Sequence, residues 1–175
     1  MKQLRSVEQK RLHRSWQRRT EQRVALLLDG VQDPFNVGSI VRTAAALRVE
    51  SLYLSANATA PTHPKVGKTA LGTQRYVEWT RYERVTEAAE AAHADGFVIV
   101  GLELADESVP FFELDLTGDV CIALGNESNG LNAAALACCD AVGYIPQLGR
   151  VGSLNVAAAT AVALYETRRQ GWQEA

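Results

Sequence analysis

Cysteine, histidine and long apolar runs are all scarce in this chain, and each scarcity excludes something. Three cysteines occur among 175 residues. Cys138 and Cys139 are adjacent and Cys121 stands apart in an apolar stretch, which makes neither a disulfide framework nor a zinc pattern. Buried, reduced thiols are expected. No run of roughly 18 apolar residues occurs, the length a membrane-spanning helix needs. The opening MKQLRSVEQKRLHRSWQRR has no apolar core that could serve as a secretory signal. A cytoplasmic protein with no membrane partner is therefore expected. The three histidines, His13, His63 and His93, fall outside the polar turns described below. No Ser-His or Cys-His nucleophile pair assembles, and no cluster has metal spacing, so neither covalent hydrolysis nor a metal site is expected.

What is present fits one folded domain: 47% hydrophobic and 22% charged residues lie close to the globular average. The net charge of −2 hides an asymmetry. Residues 1–23 carry Lys2, Arg5, Lys10, Arg11, Arg14, Arg18, Arg19 and Arg23 against Glu8 and Glu21, a net +6, which leaves −8 on the remainder. Such segregation suits a polyanionic partner, although a solvated helix face accounts for it equally well. Residues 1–22 are accordingly read as a basic helical extension, with a helix over 4–22, and residues 23–175 as the main domain.

From residue 24 short apolar runs alternate with helical patterns. Strands are expected at VALLLD (24–29), SLYL (51–54), YVEW (76–79), FVIVGL (97–102), VCIALG (120–125) and VGYIP (142–146). Helices are expected near 36–48, 84–94, 129–138 and 153–170. This alternation predicts an α/β fold, a mostly parallel sheet with helices on both faces. The connections 55–75 and 103–119 are long enough to suggest function. In open sheets of this kind ligands bind beyond the carboxyl ends of the strands.

Three polar turns occupy such positions. The first, Asp29-Gly-Val-Gln-Asp-Pro-Phe-Asn36, opens a helix for which Asn36 is a suitable N-cap. Arg42 follows beside the small, apolar Thr43-Ala-Ala-Ala-Leu47, where a guanidinium could recognise phosphate. The second, Gly125-Asn-Glu127-Ser-Asn129-Gly130, matches neither a dinucleotide fingerprint nor a P-loop. Asn129 is a candidate helix cap there. The third, Ile145-Pro-Gln-Leu148-Gly-Arg-Val-Gly-Ser153-Leu154-Asn155, has two glycines that let the backbone approach a ligand, with Ser153 as candidate cap. Asn155 fits poorly inside an Ala/Val helix. An inventory of amides, hydroxyls, one carboxylate and one guanidinium orients groups and stabilises charge, which suits transfer from an activated co-substrate.

Taken in order, Asn36-Val-Gly-Ser-Ile-Val-Arg42, Ile122-Ala-Leu-Gly125-Asn-Glu127-Ser-Asn-Gly130 and Ile145-Pro-Gln-Leu-Gly-Arg-Val-Gly-Ser153-Leu-Asn155 resemble the signature of the SpoU/TrmH family, within the SPOUT class of S-adenosylmethionine-dependent RNA methyltransferases. The resemblance covers about residues 24–170. It implies a C-terminal deep trefoil knot and a homodimer. Its reaction is methyl transfer from S-adenosylmethionine to a ribose 2′-hydroxyl. It places the donor against Leu102, Gly125, Ile145, Leu148 and Leu154. Catalysis would fall to Arg42, helped by Asn36, Glu127, Ser153 and Asn155. A guanidinium is a poor base, so Arg42 is expected to bind a substrate phosphate and stabilise the developing alkoxide.

RNA is the expected partner. Arg11, Arg14, Arg18 and Arg19 of the basic segment and Lys65, Lys68 and Arg75 of the first long loop are the candidate contacts. A short chain without a separate RNA-binding domain favours tRNA over rRNA as substrate. An rRNA methyltransferase of the same family and a catalytically inactive RNA-binding paralogue are the alternatives; the intact polar set speaks against the latter.

Overall fold

The computed structural model describes residues 2–55 and 57–172. Ala56 of the first long loop and residues 173–175 of the expected domain lie outside the described residues. Seven strands form one sheet: β1 (Val24–Leu28), β2 (Ser51–Leu54), β3 (Glu78–Arg81), β4 (Val98–Leu102), β5 (Val109–Pro110), β6 (Val120–Leu124) and β7 (Ala141–Tyr144). Their order is β3-β2-β1-β6-β4-β7-β5, and every pairing is parallel. Among the described residues six α-helices accompany them: α1 (Ser6–Gln17), α2 (Pro34–Ala46), α3 (Gly67–Ala70), α4 (Val85–Ala94), α5 (Ala133–Leu136) and α6 (Val156–Gly171). The expected α/β class is what the chain adopts.

β1 and β6 sit at the centre because their residues are apolar at every position. Val24, Leu26 and Leu28 of β1 face Val37, Ile40, Val41 and Ala44 of α2 and Ala163 and Leu164 of α6. Ala25 and Leu27 face the opposite layer, with Ala88, Ala89 and Ala92 of α4 and Ala135 of α5. Successive side chains point to opposite faces of a strand, so a run with no polar residue requires cover on both sides. Register aligns Leu26 with Ile122 and Leu28 with Leu124, so β1 and β6 end level with one another.

α6 is fastened to this frame by Arg168, a guanidinium only 3% exposed. It donates to the carbonyls of Leu47 (2.9 Å), Gln22 (2.7 Å) and Arg48 (2.7 Å). Three chain segments thus converge on one side chain. Burial is the main influence lowering its pKa, to about 10, and the neighbouring Arg48 charge adds to the effect.

Several elements differ from expectation. The N-terminal helix spans Ser6–Gln17, shorter than 4–22, and buries none of its residues. Its C-terminal end is held by Trp16 against Trp172, ring centroids 4.9 Å apart, and Trp172 in turn meets Tyr165 of α6. The third strand starts at Glu78, two residues late, because Thr73–Tyr76 tighten into a 3-10 turn. The expected helix near 129–138 shrinks to Ala133–Leu136. The two long connections carry small elements of their own, α3 in the first and β5 in the second. Cys121 is buried, while Cys138 and Cys139 are half-buried; all three are free.

All three cap assignments move as well. Asp33, not Asn36, caps α2, its carboxylate accepting from Phe35 N at 2.7 Å with Pro34 following as the first helical residue. Asn132, not Asn129, caps α5 by accepting from Ala135 N. Asn155, not Ser153, caps α6, accepting from the N–H groups of Ala157 and Ala158. A cap must stand where backbone donors become orphaned, and α5 begins four residues later, α6 three residues later and α2 two residues earlier than the pattern suggests.

Candidate active site

A cleft of about 510 Å³ opens at the carboxyl ends of β4, β6 and β7, where Leu102, Leu124 and Tyr144 end their strands. That volume falls within the roughly 300–1,000 Å³ of small-molecule sites. Its walls come from all three polar turns: Asn36 at the start of α2, Gly125–Gly130 after β6, and Ile145, Gln147 and Gly152–Asn155 between β7 and α6. Glu103 and Leu104 complete it from β4.

One chain of hydrogen bonds ties the turns together. Asn155 Nδ2 donates to Asn36 Oδ1 at 2.9 Å, and Asn36 Nδ2 donates to Glu127 Oε1 at 3.1 Å. The Glu127 carboxylate also accepts from the backbone N–H groups of Gln32 (3.1 Å) and Asp33 (2.9 Å). Burial raises the Glu127 pKa, but the bond from Asn36 and those backbone N–H groups outweigh it and hold the carboxyl below its ordinary range. Glu127 is therefore ionised at neutral pH. Freed of capping α2, Asn36 has both ends of its amide available to join two turns, and Asn155 caps α6 with its oxygen while reaching Asn36 with its nitrogen.

The second turn is closed on itself. Asn126 and Gly130 exchange backbone hydrogen bonds (3.0 and 2.9 Å), and Asn126 Nδ2 reaches Gly30 O at 2.8 Å. A side chain at Gly125 would put its Cβ 2.0 Å from the Gly130 carbonyl carbon, so only glycine fits.

Of the candidate residues, Asn36, Leu102, Gly125, Glu127, Ile145, Ser153, Leu154 and Asn155 all line this cleft. Leu148 does not; it is fully exposed. The physical reason is the path of the loop: Gln147 and Gly152–Asn155 line the cleft while residues 148–151 do not, so the chain leaves it at Leu148 and returns at Gly152. Arg42 is exposed on α2 and is not among the lining residues. Six residues separate it from Asn36, about 9 Å along the helix and about 120° around it. Arg11, Arg14, Arg18, Lys65, Lys68 and Arg75 are exposed, and Arg19 lies over the Trp16 ring at 4.0 Å. None of the α1 arginines lines the cleft; the C-terminal end of α1 is docked at the Trp172 end of α6, and Asn155 stands at the other end of that helix. Among the described residues no group of three or more histidine, cysteine or acidic side chains is arranged to hold a metal ion.

Sequence reasoning passed over Glu103 and Asn126. Asn126 was visible only as part of a turn motif, its bonding to Gly30 being a contact across 96 positions. For Glu103 the one signal was a charge immediately after an apolar strand.

Residues 23–165 match the model of the SpoU rRNA Methylase family, and the chain belongs to that family. It is 34% identical over 151 residues to the 23S rRNA (guanosine-2'-O-)-methyltransferase RlmB of Acinetobacter baylyi, covering 86% of this chain and 61% of that one. It is 33% identical over 147 residues to the tRNA (guanosine(18)-2'-O)-methyltransferase of Escherichia coli, covering 84% and 63%. The crystal structure of an AdoMet-bound rRNA methyltransferase from Sinorhizobium meliloti superposes with a TM-score of 0.80 at 32% identity, covering 86% and 57%. The chain thus spans about three-fifths of the length of these relatives.

Proposed function

We propose that this protein transfers a methyl group from S-adenosylmethionine to a ribose 2′-hydroxyl of RNA, with tRNA the first substrate to test and rRNA the second. The observation that carries this reading is the Asn155–Asn36–Glu127 hydrogen-bonded chain at the wall of the strand-end cleft. It joins the three turns that resemble the family signature. Leu102, Leu124, Ile145 and Leu154 give the cleft apolar walls, backbone lines its rim at Gly125–Gly130, and among the described residues no lysine, arginine or histidine lines it. Such a lining suits an adenosyl sulfonium, which brings its own positive charge.

The donor's methyl is electrophilic without further activation, so the chain's task is to hold the acceptor hydroxyl in line and help its proton leave. In the transfer a C–O bond forms to the ribose and the C–S bond breaks. S-adenosylhomocysteine and a 2′-O-methylated nucleotide are the products, and the hydroxyl proton passes to solvent. Arg42 binds the phosphate beside the target ribose and stabilises the oxygen as it loses its proton. Asn36, Glu127 and Asn155 keep the turns in register, and Ser153 lines the same wall.

Arg42 lies outside the cleft of its own chain, which supports a homodimer in which each copy supplies the other's site. Val162 and Tyr165 on α6 and Val151 in the third turn are exposed apolar side chains that a second copy would cover. The deep trefoil knot belongs to the same reading: α6 leaves β7, carries Asn155 to Asn36 and packs back beside α2. Residues 1–22 form a basic extension whose arginines grip RNA phosphates at a distance from the chemistry.

Incubation with methyl-labelled S-adenosylmethionine and total tRNA or rRNA tests the reading. Label in alkali-resistant dinucleotides is expected, because a 2′-O-methyl blocks cleavage at its own phosphate. Label confined to bases, or no transfer, would refute it. Mixing Arg42→Ala with Glu127→Ala chains should restore part of the activity if the site is shared.

A further inference from the structure

The cleft holds a second carboxylate, Glu103, which neither the family motifs nor the proposed chemistry uses. It stands one residue beyond the end of β4, half-buried, in the lining of the cleft. Its two oxygens are fixed separately: Oε2 accepts from Leu131 N at 2.8 Å and Oε1 from Leu104 N at 3.0 Å. It presses so closely on the second turn that a Cβ at Gly130 would lie 2.0 Å from Oε2. Gly130 also has φ +65°, so the position is reserved for glycine twice over.

A carboxylate offers about four acceptor sites, and in Glu103 one on each oxygen is spent on the backbone. What remains is a rigid pair of acceptors in a cleft whose described lining contains no cationic side chain. The ligand chemistry that matches such a pair is two adjacent hydroxyl donors. An acid just beyond a strand end of a parallel sheet takes ribose hydroxyls in the same manner in dinucleotide sites.

We propose that Glu103 is a specificity-determining residue that accepts hydrogen bonds from the 2′- and 3′-hydroxyls of the donor's ribose. This rests on the reading of the cleft as the S-adenosylmethionine site and deepens it. Glu103 thereby couples ligand to fold, because the carboxylate that takes the diol also holds the Gly130–Leu131 peptide against β4.

Calorimetric titration of the full chain with S-adenosylhomocysteine and with its 2′-deoxyribosyl and 3′-deoxyribosyl analogues tests this, first on the unmodified protein and then on Glu103→Gln. Removal of either hydroxyl should weaken binding to the unmodified protein about tenfold, the usual weight of a hydrogen bond to a charged group. Glu103→Gln should bind the parent compound correspondingly less well and discriminate among the three by no more than about twofold. A purely structural carboxylate would weaken all three ligands alike and leave their ratios unchanged, which would overturn the proposal. Equal affinity of the unmodified protein for ribosyl and deoxyribosyl compounds would overturn it without any variant. If the parent compound failed to bind the unmodified protein, the donor reading of the cleft would fall, and this inference with it.

Discussion

Replacing Arg168 with methionine removes a side chain on which α6, the end of α2 and the segment before β1 converge. Its three bonds, at 2.7–2.9 Å, run from a charged donor to carbonyls that have no other hydrogen-bond donor among the described residues. At about 1.5–3 kcal/mol each, they contribute roughly 5–9 kcal/mol gross. Against this stands the cost of burying the charge, which the fall in pKa from 12.5 to about 10 puts at about 3 kcal/mol. Methionine fills much of the volume but leaves unpaired the buried carbonyl of Gln22 and the part-buried carbonyls of Leu47 and Arg48. A net loss of roughly 2–6 kcal/mol is expected, or at about 2–4 °C per kcal/mol a fall of about 4–24 °C in Tm for a chain of this size. Arg168→Lys should fall between, because an ammonium keeps the charge but loses the planar fork. Thermal unfolding followed by tryptophan fluorescence measures both, with Trp172 close to the altered site. If the methionine variant melted within about 2 °C of the unmodified protein, the claim that this guanidinium pins α6 would be wrong. So would the corollary that Asn155, at the far end of α6, depends on it for its position.

Three further outcomes follow from the site. Gly125→Ala should abolish S-adenosylmethionine binding in calorimetry and lower stability by about 2 kcal/mol or more, since the new methyl meets backbone, not a movable side chain. Glu127 has a depressed pKa in the folded state. The stability it contributes is therefore fully present above its unfolded pKa of about 4.5 and is lost as pH falls through the lower folded value. Chemical denaturation between about pH 3 and 6 should show Glu127→Gln with a flatter profile than the unmodified protein; parallel profiles would contradict the assignment. Arg42→Ala should leave S-adenosylmethionine affinity within about twofold while cutting RNA methylation by about a hundredfold or more, and lost donor binding would contradict a role for Arg42 on the RNA phosphate.

The sheet was legible because its signal is local and redundant. VALLL and VCIAL admit no surface-facing position, so their burial on both sides followed from composition, and the alternation with helical patterns gave the parallel order. The site was legible in part, through turns whose residues repeat a recognisable order. What stayed hidden depends on contacts between distant positions. Asn36 caps nothing because Asp33 and Pro34 start the helix earlier, and its real partners are 91 and 119 positions away. Leu148 looked like a pocket residue because it is apolar and sits inside a motif, yet the loop leaves the cleft over residues 148–151 and rejoins it at Gly152. Arg168 carried no sequence signal at all; it reads as one of two arginines in the last turn of a helix, where basic residues are ordinary.

The amide of Asn36 gives the joined turns a polarity. Donation runs one way, from Asn155 through Asn36 to Glu127, and a flipped amide would set oxygen against carboxylate and nitrogen against nitrogen. The three loops consequently behave as a matched set, whose parts cannot be exchanged singly. A change to any one of the three side chains should therefore loosen the other two turns, and hydrolysis of that single amide to an acid would set a second carboxylate against Glu127.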